Sequence, residues 1–353
     1  MLTILFSTFN GMQTLPGMLE RLQKIERPDR LRIVAVDNRS NDGSLELLRS
    51  AAAELPITVF ECKDPGKNKS LNFALDRIAA TLDDDDLVII TDDDVLPDSD
   101  WLMQMTSAAA ANPHANVFGG TIRPVWPAVV PNWLPQLRDS FVVLFATTSA
   151  KTGACTSHDI FGPNMAVRGK LFKNGLRFNP SIGPDGSKNF GMGSESELLR
   201  RLEREGQQLF FCEAAAVGHQ IKPSLLRWGS VLARARRYGR GLGLLDGQAR
   251  NPAGSALSLI KQSAIIELKA LATLLPGLSD RRIGVLFRRE VERGRITSLL
   301  QPSLNLSVVM RRAIRDTPAT EPIPNASPVP VSYLRTESAS ASKARELVEP
   351  VES

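Results

Sequence analysis

The sequence predicts an α/β fold: a Rossmann-like, mostly parallel sheet flanked by helices, with a C-terminal helical extension. Three observations predict it. Short apolar runs alternate with helix-spaced segments over about the first 110 residues, each run stops at small or acidic polar residues, and basic helix-like segments follow residue 222. Leu2–Thr8 (LTILFST) reads as a buried strand. Leu15–Ile25 has helical spacing, with Leu15, Met18, Leu19 and Leu22 on one face. Leu31–Val36 is the second strand, and it ends at the turn-forming and capping residues Asp37 to Ser44. Leu45–Leu55 supplies a helix, Ile57–Glu61 a third strand and Leu71–Leu82 another helix. Leu87–Thr91 is a fourth strand that runs into Asp92-Asp93-Asp94. The order βαβαβαβ implies parallel pairing with helices on both faces.

Pro and Gly interrupt the pattern from Asn112 to Gly193. Glu195–Glu205 is again helical. Leu209–Cys212 reads as a short strand, followed by Ala214–Val217 and His219. Leu225–Arg240, Ala256–Leu275 and Ile283–Gln301 read as helices. From Thr317 the chain is rich in Pro, Ser, Ala and Glu, the composition of a disordered tail. The expected division is residues 1–221 as catalytic domain, 222–316 as basic helical extension and 317–353 as tail.

Hydrophobic residues make up 42% of the 353 residues, enough for a sizeable core. The net charge of +5 is unevenly spread: Lys222–Asp316 holds 18 Lys and Arg against 6 Asp and Glu, a net of +12, so the remainder carries −7. Three scattered cysteines suit neither a disulfide framework nor a zinc site, and a cytoplasmic setting is expected. No basic stretch precedes the apolar residues of Met1–Asn10, so no secretory signal is expected. Lys261, Glu267 and Lys269 interrupt Ser255–Leu278, which argues against a membrane span and leaves a surface-lying amphipathic helix. No base-reading fold accompanies the basic patch, so no nucleic-acid partner is expected.

Ligands of open parallel sheets bind beyond the carboxyl ends of the strands. Ser7–Asn10, Asp37–Asp42 and Asp92–Asp94 fall there. Adjacent carboxylates repel unless a cation or donors compensate, and Asp92 with Asp94 suits a hard divalent cation that bridges substrate phosphates, Mg²⁺ or Mn²⁺. Asp83–Asp86, before the strand, reads as a solvated acidic turn.

Six segments occur in one order: Ser7-Thr8-Phe9-Asn10; Val36-Asp37-Asn38 with Asn41-Asp42-Gly43-Ser44; Gly66-Lys67-Asn68-Lys69-Ser70-Leu71-Asn72; Thr91-Asp92-Asp93-Asp94-Val95-Leu96-Pro97; Phe161-Gly162-Pro163-Asn164; and Gly193-Ser194-Glu195-Ser196-Glu197-Leu198. Over about Met1–Tyr238 this set resembles the family 2 glycosyltransferases of GT-A fold, which are inverting and use nucleotide sugars. The resemblance implies that Ser7, Thr8, Asn10, Asp37, Lys67, Asn72 and Asp93 meet the donor nucleotide. Asp37 would accept the imide N–H of a uracil or thymine, hence a UDP- or dTDP-sugar. It implies Asp92, Asp94 and His219 as contacts of Mn²⁺ or Mg²⁺, and Asn164, Gly193 and Glu197 in the acceptor or sugar pocket. Glu195 falls at the position of the catalytic base, with Ser194 in place of the acid that usually precedes it and Glu197 as its rival; helix capping is the structural role open to Ser194 and the acids after it.

The implied reaction is sugar transfer to a lipid-linked or polysaccharide acceptor in envelope or exopolysaccharide synthesis. Arginines of Leu225–Arg240 would approach the diphosphate, and the basic extension would rest on the inner face of the plasma membrane. Trp126 and Trp133 read as loop anchors or as a flap over the sugar. Two other classes are weighed. A nucleotidyltransferase would need a phosphate-gripping loop after the first strand, which Asn10-Gly11-Met12-Gln13 does not offer, and a decayed, non-catalytic assembly protein is supported by Ser194 alone.

Overall fold

The computed structural model describes residues 1–148, 150–247, 261, 264–268, 270–271 and 282–300. Nine strands form one sheet: β1 Leu2–Thr8, β2 Leu31–Asp37, β3 Ile57–Glu61, β4 Leu87–Ile90, β5 Val95–Pro97, β6 Ala115–Val125, β7 Gly153–Ala154, β8 Met165–Arg168 and β9 Gln208–Gln220. The helices are α1 Leu15–Lys24, α2 Ser44–Ala51, α3 Lys67–Ile78, α4 Trp101–Ala111, α5 Phe141–Phe145, α6 Gly169–Lys173, α7 Ser194–Arg204, α8 Trp228–Gly247 and α9 Arg282–Leu300. Strand order is β3-β2-β1-β4-β8-β6-β9-β5, with β7 on β9.

The first four strands pair in parallel, as the alternating pattern predicts. β8 runs antiparallel to β4 and to β6, β6 is parallel to β9, and β5 is antiparallel to β9. Period-two alternation divides the core between the two sheet faces. Ile4, Phe6, Ile33 and Ala35 join α1, α2 and α4 residues such as Leu15, Leu48 and Trp101. Leu5, Val34 and Val36 join Leu71 and Leu75 of α3 and Leu198, Leu199 and Leu202 of α7.

Several sequence boundaries shift, each for a local reason. The helix expected from Leu71 starts at Lys67, because Gly66 at φ 130° turns the chain into it. Its first turn buries polar Asn68 and Ser70, which apolar periodicity does not register. β6 went unread because Gly119 and Gly120 lie inside it. A Cβ at Gly120 would stand 2.1 Å from the Ala215 carbonyl, so the strand needs glycine there. The two pieces expected around Cys212 and Ala214 are one strand, β9, with a register shift opposite Gly120 and Thr121. Asp86 is buried and accepts the Asp83 N–H at 2.9 Å, so that part of the acidic turn is structural rather than solvated.

A third apolar cluster joins Leu134, Leu144 and Phe145 to Val231 and Ala235 of α8 and Phe287 of α9. Trp126 packs on Phe141 and Phe145, and Trp133 on Trp228, so both tryptophans anchor the loop between β6 and α5. Residues 1–302 make one compact unit. Residues 303–353, with the expected tail, and most of Ala256–Leu275 lie outside the described residues.

α8 and α9 meet backbone to backbone. A Cβ on Gly294 would stand 2.0 Å from the Arg236 carbonyl, whereas one on Gly284 of the same helix meets only the far end of Arg288, at 3.9 Å. Gly284→Ala is therefore expected to stabilise the protein by about 0.5–1 kcal/mol through helix propensity. Gly294→Ala is expected to destabilise it by about 1–3 kcal/mol through overpacking. Urea unfolding of the two variants checks the opposite signs.

Candidate active site

The carboxyl ends of β1, β2 and β4 open on one cleft of about 930 Å³. Ser7, Thr8 and Phe9 line it from β1 and Asn38 and Arg39 from the end of β2. Gly66 and Lys67 come from the start of α3, Asp92–Asp94 from the end of β4, and Gly193, Ser194 and Glu195 from the start of α7. Arg234, Arg237, Tyr238, Leu242 and Leu245 of α8 close it on the far side.

Four carboxylates converge here, and three side chains compensate them. Lys67 Nζ lies 2.6 Å from Asp92 Oδ1 and 2.8 Å from Glu195 Oε1. The Thr8 hydroxyl donates to Asp93 Oδ2. His219 Nε2 stands 3.4 Å from Asp94 Oδ2, and its Nδ1 is held 2.7 Å from the Phe145 carbonyl. That pairing follows from strand register, since Val95 on β5 faces His219 on β9 and Asp94 is the next residue.

The electrostatics follow from these pairs. Burial opposes the charge on Lys67, but Asp92 and Glu195 outweigh it and raise its pKa. Burial lifts Asp92 against the pull of Lys67, with Asp94 and Glu195 adding to the rise. Burial, then the Asp94 charge, pushes Asp93 up to about 6. Burial also works against ionised Asp94 and Glu195, yet His219 holds the first below its ordinary value and Lys67 the second. His219 is raised because Asp94 overcomes the effect of burial.

The other predicted residues fall in two groups. Gly193, at φ 116°, is the N-cap of α7 and lines the cleft. Asp37 is buried beside the lining residues Asn38 and Arg39. Its Oδ2 accepts the Ser40 N–H at 3.1 Å, and its Oδ1 is buried with no hydrogen-bond partner. Asp37 itself, like Asn10, Asn72, Asn164 and Glu197, is absent from the lining among the described residues. Asn10, at φ 55°, accepts the Asn41 N–H and shapes the loop. The Asn72 amide is spent on the backbone N–H and carbonyl of Phe178. Asn164 is fully buried: its Oδ1 accepts the Trp101 indole N–H at 2.9 Å, and its Nδ2 donates to the carbonyls of Thr121 and Ala215. Glu197 is buried and pairs with Arg201 at 3.5 Å. Ser194 does not cap its helix; its hydroxyl turns to the Ile182 carbonyl.

One feature of the cleft went unread as a site residue. Gly162 adjoins Glu195 so closely that a Cβ there would stand 2.4 Å from Oε1. The Phe161–Asn164 segment pointed to the right place, but Gly162 and Pro163 line the cleft and Asn164 supports it from behind. Of the arginines expected from Leu225–Arg240, Arg234 and Arg237 line the cleft, and Arg237 stands over the Phe190 ring at 5.1 Å with a buried, unpartnered Nε.

Asp94 Oδ1 is likewise buried without a partner. An orphaned carboxylate oxygen beside an imidazole fits Mn²⁺ or Mg²⁺, which need only one or two carboxylates when substrate phosphates complete the shell. Among the described residues no three or more His, Cys, Asp or Glu side chains form a self-sufficient cage.

Residues 3–176 match the sequence model of glycosyl transferase family 2. The glucosyl-dolichyl phosphate glucuronosyltransferase of Haloferax volcanii is 22% identical over 191 residues, 54% of this chain and 58% of that protein, so the chain spans little more than half the length of this relative. The mannosyltransferase PcManGT of Pyrobaculum calidifontis, solved in complex with GDP-Man and Mn²⁺, is similar at a TM-score of 0.55 and 17% identity, over 86% of this chain and 88% of that one. S. aureus TarS 1-349 in complex with UDP-GlcNAc is a looser likeness, with a TM-score of 0.49 at 15% identity over 83% and 90% of the two chains. The sheet order and the likeness to PcManGT define the fold as GT-A. Within that fold, residues 3–176 belong to glycosyl transferase family 2.

Proposed function

We propose that the protein is an inverting, metal-dependent glycosyltransferase that moves one sugar from a nucleotide-diphosphate sugar to a hydroxyl of a lipid-linked or saccharide acceptor. The observation that carries this reading is the meeting of Asp92, Asp94 and Glu195, from two separate elements, in one cleft of about 930 Å³. The orphaned Asp37 Oδ1 supports a donor base that offers an imide N–H, as in a UDP- or dTDP-sugar. Apolar Val142, Phe190, Met192, Leu242 and Leu245 along the lining suit an acceptor with an apolar part, of the kind used in envelope or exopolysaccharide synthesis.

Asp94 and His219, with Asp92 beside them, would hold Mn²⁺ or Mg²⁺, and the chemistry such an ion supplies is electrostatic stabilisation of the departing diphosphate. Glu195 takes the proton of the acceptor hydroxyl. The oxygen forms its bond to the anomeric carbon on the face opposite the leaving group, and the bond from that carbon to the phosphate oxygen breaks with its electron pair leaving on the nucleoside diphosphate. Arg234, half-buried in the same cleft, adds positive charge near Asp94, Asp92 and Glu195.

Two rival readings fare worse. In the loop after β1, the N–H groups of Asn10, Gly11 and Met12 already donate to Ser40, Ser44 and Asp42, so they are not free to grip a triphosphate. A decayed, non-catalytic protein would have no reason to keep Glu195 paired with Lys67 in an acidic cleft.

The partner read for the extension, residues 222–316, is the anionic inner surface of the plasma membrane. Ile265, Leu268 and Leu271 are exposed, and at helical spacing they share one face with exposed Lys261. Ala270 is buried, and Glu267, one turn before Leu271 at the edge of the stripe, is paired with Arg289 and Arg293 of α9. An aliphatic stripe with a lysine, whose bordering acid is already paired with arginines, suits an anionic lipid interface. No described helix is long and apolar enough to cross a membrane.

Thermal unfolding with Mn²⁺ is expected to show stabilisation by UDP or dTDP, about 2.7 kcal/mol at a hundred times the Kd, that Asp94→Ala loses. Glu195→Gln is expected to keep that stabilisation and lose about 10²–10⁴ in transfer rate. No shift with any nucleoside diphosphate would remove the reading, and undiminished transfer by Glu195→Gln would remove the assigned base. For the extension, sedimentation with phosphatidylglycerol-containing vesicles at low salt is expected to capture the wild type at least about tenfold better than Leu268→Asp/Leu271→Asp. Equal capture would end the membrane reading, as would a wild type that sediments as a dimer alongside a monomeric variant.

A further inference from the structure

Glu195 is confined on two sides. Lys67 Nζ holds Oε1 at 2.8 Å, and the missing side chain of Gly162 leaves room for the carboxyl group, where a Cβ would stand 2.7 Å from Cδ. Among the described residues no other cation is within ion-pair distance of Glu195. Lys67 is itself fixed at its backbone. The Gly66 N–H donates to Asn38 Oδ1 at 2.8 Å, the Lys67 N–H donates to the Pro184 carbonyl at 3.1 Å, and Gly66 adopts a conformation open to glycine. Its side chain is largely buried, and its other partner, Asp92 at 2.6 Å, stands at the end of β4.

We infer that Lys67 is a positioning residue for the base: it pins Glu195 through Oε1 against Gly162, leaves Oε2 to accept the proton of the incoming hydroxyl, and ties that carboxylate to the metal-side Asp92. This rests on the reading of Glu195 as the base. An ammonium has three donors, and the two carboxylates use two of them, so the third remains for a donor phosphate oxygen. One side chain then spans the donor and acceptor ends of the cleft. Orientation of this kind matters because a catalytic group displaced by about 1 Å can cost about 10²-fold in rate.

The test uses the full chain and the variants Lys67→Met, Lys67→Arg, Gly162→Ala, Glu195→Gln and Lys67→Met/Glu195→Gln. Two readouts are taken: the crystal structure of Lys67→Met, and the rate of Mn²⁺-dependent hydrolysis of UDP-glucose, UDP-GlcNAc and GDP-mannose. Glu195 is expected to leave its place beside Gly162 in Lys67→Met. The kcat of Lys67→Met and of Gly162→Ala is expected to fall about 10²-fold, with partial recovery in Lys67→Arg and no further loss from Lys67→Met in the Glu195→Gln background. An unmoved Glu195 carboxylate overturns the inference even if none of the three donors is hydrolysed. So does a loss confined to the donor KM, or one that multiplies with that of Glu195→Gln. Full activity of Glu195→Gln would instead fail the base assignment, so the two failures are distinguishable.

Discussion

The structure depends on how four carboxylates share one buried cleft. Asp92, Asp93, Asp94 and Glu195 repel one another wherever water is excluded, and burial makes each charge costlier still. Their compensation is divided. Lys67 serves Asp92 and Glu195, His219 stands beside Asp94, and Thr8 donates to Asp93. What is left over, an unpartnered Asp94 oxygen, is the kind of deficit that a cation and a diphosphate correct together. On the proposed function, the cation and the donor diphosphate would relieve a strain that the fold alone does not remove.

The scaffold makes that arrangement affordable. β1, β2 and β4 are parallel and almost wholly buried, so their carboxyl ends are held in fixed register, Thr8 opposite Asp37. The antiparallel β5–β9 pair brings His219 to Asp94. α3 and α7 point their first turns at the same opening and supply Lys67 and Glu195. The net charge resolves in the same way: the carboxylate-rich front part and the basic segment from Lys222 meet where Arg234 and Arg237 of α8 reach the cleft.

The parallel half of the fold was legible because buried strands and amphipathic helices leave strong periodicities, as in Leu2–Thr8 and Leu15–Ile25. β6 was not, because its glycines serve close backbone contacts that no hydrophobic pattern records. In the site, Asp92–Asp94 were legible as carboxylates at a strand end, whereas Lys67 and Glu195 came from the family resemblance, because Lys67 lies before the apolar periodicity of its helix. Asn10, Asn72 and Asn164 were misplaced for a common reason. An amide in a motif shows its hydrogen-bonding capacity but not its partner, and these three meet groups 31 to 106 residues away. Gly162 shows the converse, since its contribution is the space it leaves for Glu195.

The most direct test of the account is a crystal structure with UDP and Mn²⁺, with anomalous data collected at the manganese edge. The account predicts a manganese peak on the Asp94 carboxylate, the nucleotide in the same cleft, and Glu195 left uncovered for an acceptor. A peak away from Asp94, or a nucleotide seated over Glu195, would contradict it.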